Sequence, residues 1–327
     1  MEWMVEEEYK MNLLHEYKNG NYTVKLYEDG TKIRETEEDK FISSFPENID
    51  IKISDKCDGG CSFCHENSTL DGDIADFNYE FLYSLRPGTE LAIGGGNVFD
   101  NPKLSNFLKW CEHRGIVANI TVNQKHVTSQ YFDYDGERHY YRNINTSRIF
   151  DWIDRGEVHG VGISYDGNSE ELDKIFTDNE DYDAEEYKKN VVIHVINGVH
   201  SYEDIMKLTN KNYKLLILGY KDLRRGHKYL TENEVLIKQN QQDIYDNIHS
   251  IIKSFTVVSF DNLAIEQLNI RRLFTTKQWD EFYMGDDGSF TMYIDLVKGE
   301  FAKNSTSLNR HKLLDTIEEM FEIVKSE

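Results

Sequence analysis

Apolar and polar positions alternate in short bursts along this chain. Six segments are apolar and β-rich: Ile49–Ser54, Glu90–Gly94, Val117–Val122, Gly160–Ser164, Val191–Ile196 and Leu215–Gly219. Each is short enough for a strand, and longer helical or mixed stretches separate them, so the pattern predicts parallel strands joined by crossovers. Residues 77–85, 102–114 and 202–209 carry apolar side chains every three or four positions, and Asn101-Pro102 and Ser201 are suitable helix starts. Ahead of this, Tyr22–Tyr27 and Thr31–Glu35 alternate around Glu28-Asp29-Gly30, a turn signal, which predicts an N-terminal β-hairpin.

The expected architecture is therefore α/β. Residues 1–48 form an N-terminal extension with the hairpin and residues 49–226 a partial (β/α)6 TIM-like barrel core. Residues 227–327 form a C-terminal α+β appendage packed on the barrel. The appendage has a strand at Phe255–Phe260, a turn at Met284–Ser289, a strand at Phe290–Asp295 and a final helix. The stretch Gln130–Ile149 has no clear period and reads as a long surface connection, with a loop that covers a site as the alternative. The acidic runs at Glu6–Glu8 and Asp178–Asp183 read as solvated faces. In parallel α/β folds, sites assemble at the carboxyl ends of the strands.

Composition narrows the function. The formal net charge of −22 disfavours nucleic acid as a partner, because the average surface repels polyanions. No apolar run is long enough for a bilayer, and the start Met1–Glu8 lacks the features of a secretory signal, which points to the cytoplasm. Four cysteines are too few for a disulfide scaffold, and Cys57, Cys61 and Cys64 fall in one loop, as expected of a metal or redox site in a reducing compartment. Cys111 stands alone on a helix and reads as a buried small apolar side chain.

Cys57-Asp-Gly-Gly-Cys61-Ser-Phe-Cys64-His65 follows the first strand of the core directly. Three thiolates hold three irons of a cubane cluster and leave the fourth open to a non-protein ligand. Gly59 and Gly60 let the backbone fold tightly between the first two. Other metal chemistries start from the same residues. Cys61-Ser-Phe-Cys64-His65 matches the c-type haem attachment string, although no export signal accompanies it. A Cys3His zinc site would require the adjacent Cys64 and His65 to address one tetrahedral ion.

The loop resembles the radical S-adenosylmethionine (SAM) superfamily, whose hallmark is C-x3-C-x2-C after the first strand with an aromatic residue before the third cysteine. Here Phe63 holds that place, beside the adenine by resemblance. The resemblance implies an oxygen-sensitive [4Fe–4S] cluster on Cys57, Cys61 and Cys64, with SAM on the open iron. Reduction, by a donor such as flavodoxin or ferredoxin, cleaves SAM to methionine and a 5′-deoxyadenosyl radical that takes a hydrogen atom from the substrate. Ala92-Ile-Gly94-Gly95-Gly96-Asn97 resembles the family's GGE motif, with Asn97 where Glu is common. An amide oxygen still accepts a hydrogen bond from the SAM amino group, without the carboxylate's charge.

Further SAM contacts are expected at later strand ends, from Asn123, with Lys125 second, then from Ser164 and from Asn197. His194, inside an apolar strand, reads as a core or barrel-lining residue. The cations of Gly219–Gly226 are placed to hold an anionic substrate or the SAM carboxylate. With only Cys111 left over, a single cluster is expected. The substrate expected first is a small polar metabolite or a nucleotide. The alternatives are a peptide substrate docked on the hairpin edge, and a non-catalytic metal or iron–sulfur protein.

Overall fold

A computed structural model describes residues 12–128, 130–134, 137–141, 143–177 and 184–327. The N-terminal segment at residues 1–8 and the acidic run at 178–183 lie outside the described residues.

The N-terminal extension is an antiparallel sheet of three strands, β1 (Leu13–Asn19), β2 (Tyr22–Tyr27) and β3 (Lys32–Glu35), in the order β1-β2-β3. β2 and β3 form the expected hairpin, and β1 is an addition. Tyr22, Val24 and Leu26 alternate into a buried face. Polar contacts fix this sheet to the rest of the chain. The Tyr22 hydroxyl donates to Glu47 at 2.6 Å, Arg34 pairs with Glu47 at 2.8 Å, and Lys32 bridges Glu47 and Glu90.

The main sheet contains β4 (Asn48–Ser54), β5 (Glu90–Gly95) and β6 (Val117–Asn123). The stretch read as a surface connection then pairs with itself as β7 (Gln130–Tyr134) and β8 (Glu137–Tyr141), and a helix begins at Ile144. The main sheet continues with β9 (Gly160–Ser164), β10 (Val191–Ile196), β11 (Lys214–Leu218), β12 (Val258–Phe260), β13 (Thr291–Asp295), β14 (Glu300–Ala302) and β15 (His311–Lys312). Its order is β12-β11-β10-β9-β6-β5-β4-β13-β14-β15. The six expected strands thus stand side by side in chain order, all parallel.

The C-terminal segment departs from the expected appendage. It adds β12 parallel to β11 at one end and β13 parallel to β4 at the other, with β14 and β15 antiparallel beyond. The strand expected at Phe255–Phe260 forms over Val258–Phe260 and the one expected at Phe290–Asp295 over Thr291–Asp295, but both join the main sheet, because edge pairing with β11 and β4 is a long-range contact that local alternation does not encode. The helical pattern at 77–85 shortens to a single 3-10 segment, Glu80–Ser84.

Alternation along the strands separates two faces. Ile49, Ile51, Ile53, Leu91, Ile93, Ile120, Ile163, Ile193, Leu215 and Ile217 are buried in one core with helix residues such as Leu108, Trp152, Leu172, Ile205 and Ile248. The opposite face is polar: Asp50, Lys52 and Ser54 on β4, Asn119, Thr121 and Asn123 on β6, Ser164 on β9, His194 on β10. A parallel sheet usually has both faces covered.

Candidate active site

β4 ends in a sharp turn. Ser54 Oγ accepts from Lys56 N–H and donates to Lys56 O, both at 3.0 Å, which takes the chain out of the ladder just before Cys57. Cys57 N–H then donates to Thr69 O at 2.8 Å, and Asn67 N–H to Cys64 O at 3.3 Å, closing the loop on itself. Gly60 takes a positive φ of 62°, where other side chains are strained.

Cys57, Cys61 and Cys64 are free and half-buried. Gly59 N–H donates to Cys57 Sγ at 3.3 Å, and Asn123 Nδ2 donates to Cys61 Sγ at 3.6 Å. A Cβ on Gly59 would lie 3.2 Å from Cys57 Sγ and 3.8 Å from Cys61 Sγ, so this glycine keeps the space beside both sulfurs clear. Burial raises the Cys57 and Cys61 thiols above the usual range; the Gly59 N–H opposes it at Cys57, and Lys125 and Arg225 oppose it at Cys61. A bound metal would favour the thiolates. The N–H donors, the clear space and the three free thiols fit an iron–sulfur cluster.

The turn after β6 clamps this loop. Asn123 caps it through Oδ1, accepting Lys125 N–H at 3.0 Å, while Lys125 Nζ reaches Gly59 O at 3.5 Å. His126, absent from the sequence reading, is buried, with Nε2 2.9 Å from Asp58 Oδ1 and 4.0 Å from Cys57 Sγ. One ligand atom from each of Cys57, Asp58 and His126 falls within a 4.8 Å group. The only signal for His126 was its position three residues past Asn123.

The glycine run lies against the loop's stem. Gly96 N–H donates to Ser54 O at 2.6 Å and Asn97 N–H to Lys56 O at 2.7 Å. A Cβ on Gly95 would sit 2.5 Å from Ser54 O, and one on Gly96 2.2 Å from Lys56 O, so neither position admits a side chain. Gly94 has more room, 3.8 Å from Thr121 Cβ. Asn97 is 8% exposed, and its Oδ1 accepts Phe99 N–H at 3.2 Å, starting the turn Val98–Asp100.

The other expected contacts divide. Ser164 is half-buried and in register with Asn123 on one side and His194 on the other. Phe63 is half-buried and meets Tyr229 edge to face, centroids 5.8 Å apart. Asn197 lies apart from these: it is 0% exposed and gives its amide to Gln267 Oε1 at 3.1 Å. The cations of 219–226 turn to the cysteine loop instead of open solvent. Arg224 donates to His65 O at 2.6 Å, Arg225 to Ser68 O at 2.7 Å, and Lys221 approaches His65 Nε2 at 3.4 Å. His65 also contacts Glu66 at 3.3 Å, and burial pushes its imidazole down to about 4.

Beneath the loop, Lys52 is 2% exposed and pairs with Asp55 at 2.5 Å, Glu66 at 2.8 Å and Asp295 at 3.3 Å. Burial opposes its charge, but these carboxylates outweigh it and hold its pKa above the ordinary lysine value. Glu66 is held well below the usual carboxylate range: burial would raise it, and His65 and Lys52 overcome that. Asp50 and Lys52 were legible in principle, since Ile49-Asp50-Ile51-Lys52-Ile53 sets charge against apolarity at period two.

No family model matches this sequence, and no curated protein matches it. Among solved structures, Streptococcus suis SuiB bound to S-adenosylmethionine is similar at 14% identity and a TM-score of 0.51, over 87% of this chain and 68% of SuiB. SuiB bound to the precursor peptide SuiA is similar at 14% identity and a TM-score of 0.52, over 87% of this chain and 67% of SuiB. The likeness shows the fold: this chain is folded as SuiB is folded.

Proposed function

We propose that this chain is a radical SAM enzyme, its sheet the wall of a partial (β/α)6 barrel and Cys57, Cys61 and Cys64 the ligands of a single [4Fe–4S] cluster. The observation that carries the reading is the cysteine loop. Three free thiols stand in the family spacing at the end of β4, two receive N–H groups from Gly59 and Asn123, and Gly96 and Asn97 are strapped to the loop's stem. The fold shared with SuiB supports it.

With cluster and SAM bound, the chemistry supplied is reductive cleavage of SAM to a 5′-deoxyadenosyl radical, the electron coming from a flavodoxin- or ferredoxin-type donor. The chain's own residues bind and orient. Asn123 and Ser164, in register on the polar face, offer hydroxyl and amide partners to SAM. Gly94 to Gly96 let backbone approach its methionine end, Asn97 stands beside them, and Phe63 flanks the adenine. Asn197, buried, gives its amide N–H to Gln267 and keeps Oδ1 as the atom that would accept from SAM. The substrate enters on the polar face and gives up a hydrogen atom there. The residues read first as suited to a small polar metabolite or a nucleotide; the likeness to a structure solved with a precursor peptide supports a peptide as the second reading.

The deciding experiment is anaerobic reconstitution with iron and sulfide, then dithionite reduction with SAM. About four irons per chain and release of 5′-deoxyadenosine are expected. Iron binding with no SAM cleavage, in the presence of amine, nucleotide and peptide substrates, would sink the enzyme reading. The Cys57–Asp58–His126 group favours one competitor, a single metal ion. One zinc per chain without sulfide would establish that competitor.

A further inference from the structure

Among the described residues, Asp50 has no partner. It lies on β4 between Ile49 and Ile51, both in the core, so the two-residue period turns it to the polar face with Lys52 and Ser54. Lys52 and Ser54 are engaged there. Asp50 makes no hydrogen bond or ion pair with any described residue, and its side chain is open to solvent although it sits deep among protein atoms. There is room beside it. Its register neighbour on β5 is Ala92, itself exposed, followed by Asn119 and then Gly160.

The charges that act on Asp50 are Lys221, Asp287 and Asp261. Lys221 donates to Ser305 Oγ at 2.8 Å and approaches His65. Asp261 accepts the N–H groups of Gly219 and Ala264, and Asp287 the amides of Asn262 and Asn304. Neither carboxylate has a cation against it among the described residues. Three carboxylates therefore face one ammonium, and the only fully unengaged group is Asp50. A carboxylate so placed lacks compensation, and burial raises its pKa; a cation from outside would relieve both.

We infer that Asp50 is the specificity residue of the polar face and that it binds a protonated amine or guanidinium of the substrate. The inference rests on the radical SAM reading and names the substrate class for that site. It also sets a length. Asp50 and Ser54, where β4 gives way to the cysteine loop, are separated by about 13 Å of strand, so the reacting carbon lies several bonds from the positive group.

The test is titration calorimetry on the anaerobically reconstituted full chain with SAM present. The probes are cadaverine and agmatine, the uncharged 1,5-pentanediol, and blocked Gly-Lys-Gly and Gly-Arg-Gly peptides. At least one cationic probe should bind, the diol should not, and Asp50→Asn should weaken the cation at least tenfold with an unchanged melting temperature. Tighter binding of the free amines identifies a metabolite as the source of the charge; tighter binding of the peptides identifies a basic side chain. The inference is overturned if no cation binds, if Asp50→Asn binds it equally, if the diol matches the amines, or if Asp50→Asn lowers the melting temperature. Failure of SAM cleavage would instead overturn the radical SAM reading, which calorimetry does not measure.

Discussion

Gly162 and His194 occupy one space on neighbouring strands: a Cβ on Gly162 would lie 2.2 Å from Cε1 and 2.4 Å from Nε2 of His194. The imidazole thus lies flat across a bare stretch of β9, in register with Ser164 and level with the site. Gly162→Ala should cost about 1–3 kcal/mol through overpacking. Adding His194→Ala should recover most of it, because the three atoms nearest that Cβ all belong to His194. Urea unfolding of the two single variants and the double variant checks the coupling; additive losses would show that the glycine matters for its backbone alone.

Burial pushes His194 down to about 4, against about 6.5 for an exposed imidazole. The sign follows from linkage. The unfolded chain binds a proton below pH 6.5 that the folded chain refuses until pH 4, so stability present at neutral pH is lost as pH falls through that window. His194→Gln should remove about 2 kcal/mol of the loss between pH 7 and pH 5. Denaturant midpoints at the two pH values measure it; parallel pH curves for the parent and the variant would show that His194 is not held neutral.

Asn123 and His126 lie against the sulfurs proposed as cluster ligands, the first as a donor to Cys61 and the second 4.0 Å from Cys57. N–H groups directed at thiolate sulfur favour the reduced, more negative cluster. Asn123→Leu should therefore lower the midpoint potential by on the order of tens of millivolts, and His126→Leu by less. Potentiometric EPR titration reads this independently of turnover.

Iron content separates the cysteines. Cys57→Ala, Cys61→Ala or Cys64→Ala should each abolish stable cluster loading. Cys111→Ala should retain it, since Cys111 is 0% exposed in the core, and should lose about 1 kcal/mol of stability from the small cavity. Equal iron loss in all four variants would mean that the ligands are misassigned.

Lys52→Met would leave Asp55, Glu66 and Asp295 facing one another without their shared ammonium. Breaking a buried ion cluster from one side costs about 3–5 kcal/mol. The variant should unfold at markedly lower urea, and Lys52→Arg should restore part of the loss.

Much of this was legible in the order of residues. The strands β4, β5, β6, β9, β10 and β11 are apolar runs bounded by turns, and parallel pairing depends on that local pattern. The cysteine loop declared itself by spacing. What escaped depends on contacts between distant segments. The strand near Phe260 was legible, but not that it extends the main sheet beside β11, and His126 enters the site because the turn after β6 folds back onto Asp58. Arg224 and Arg225 read as cations for an anionic substrate or the SAM carboxylate, yet the carbonyls of residues 65 and 68 take them up. Gln267, which engages Asn197, lies in a part of the chain without any signature.

The pairing of β4 with β13 bears on biogenesis. As the chain leaves the ribosome, β4 gains β5 early, but its other edge waits for Thr291–Asp295, and Asp295 is also a partner of Lys52 beneath the cysteine loop. Until then that flank is an open strand edge, a template for wrong pairing. Metal loading on nascent chains stalled before residue 291 should accordingly be poor, and should rise once β13 has emerged. The cluster would be installed only after both edges of β4 are paired.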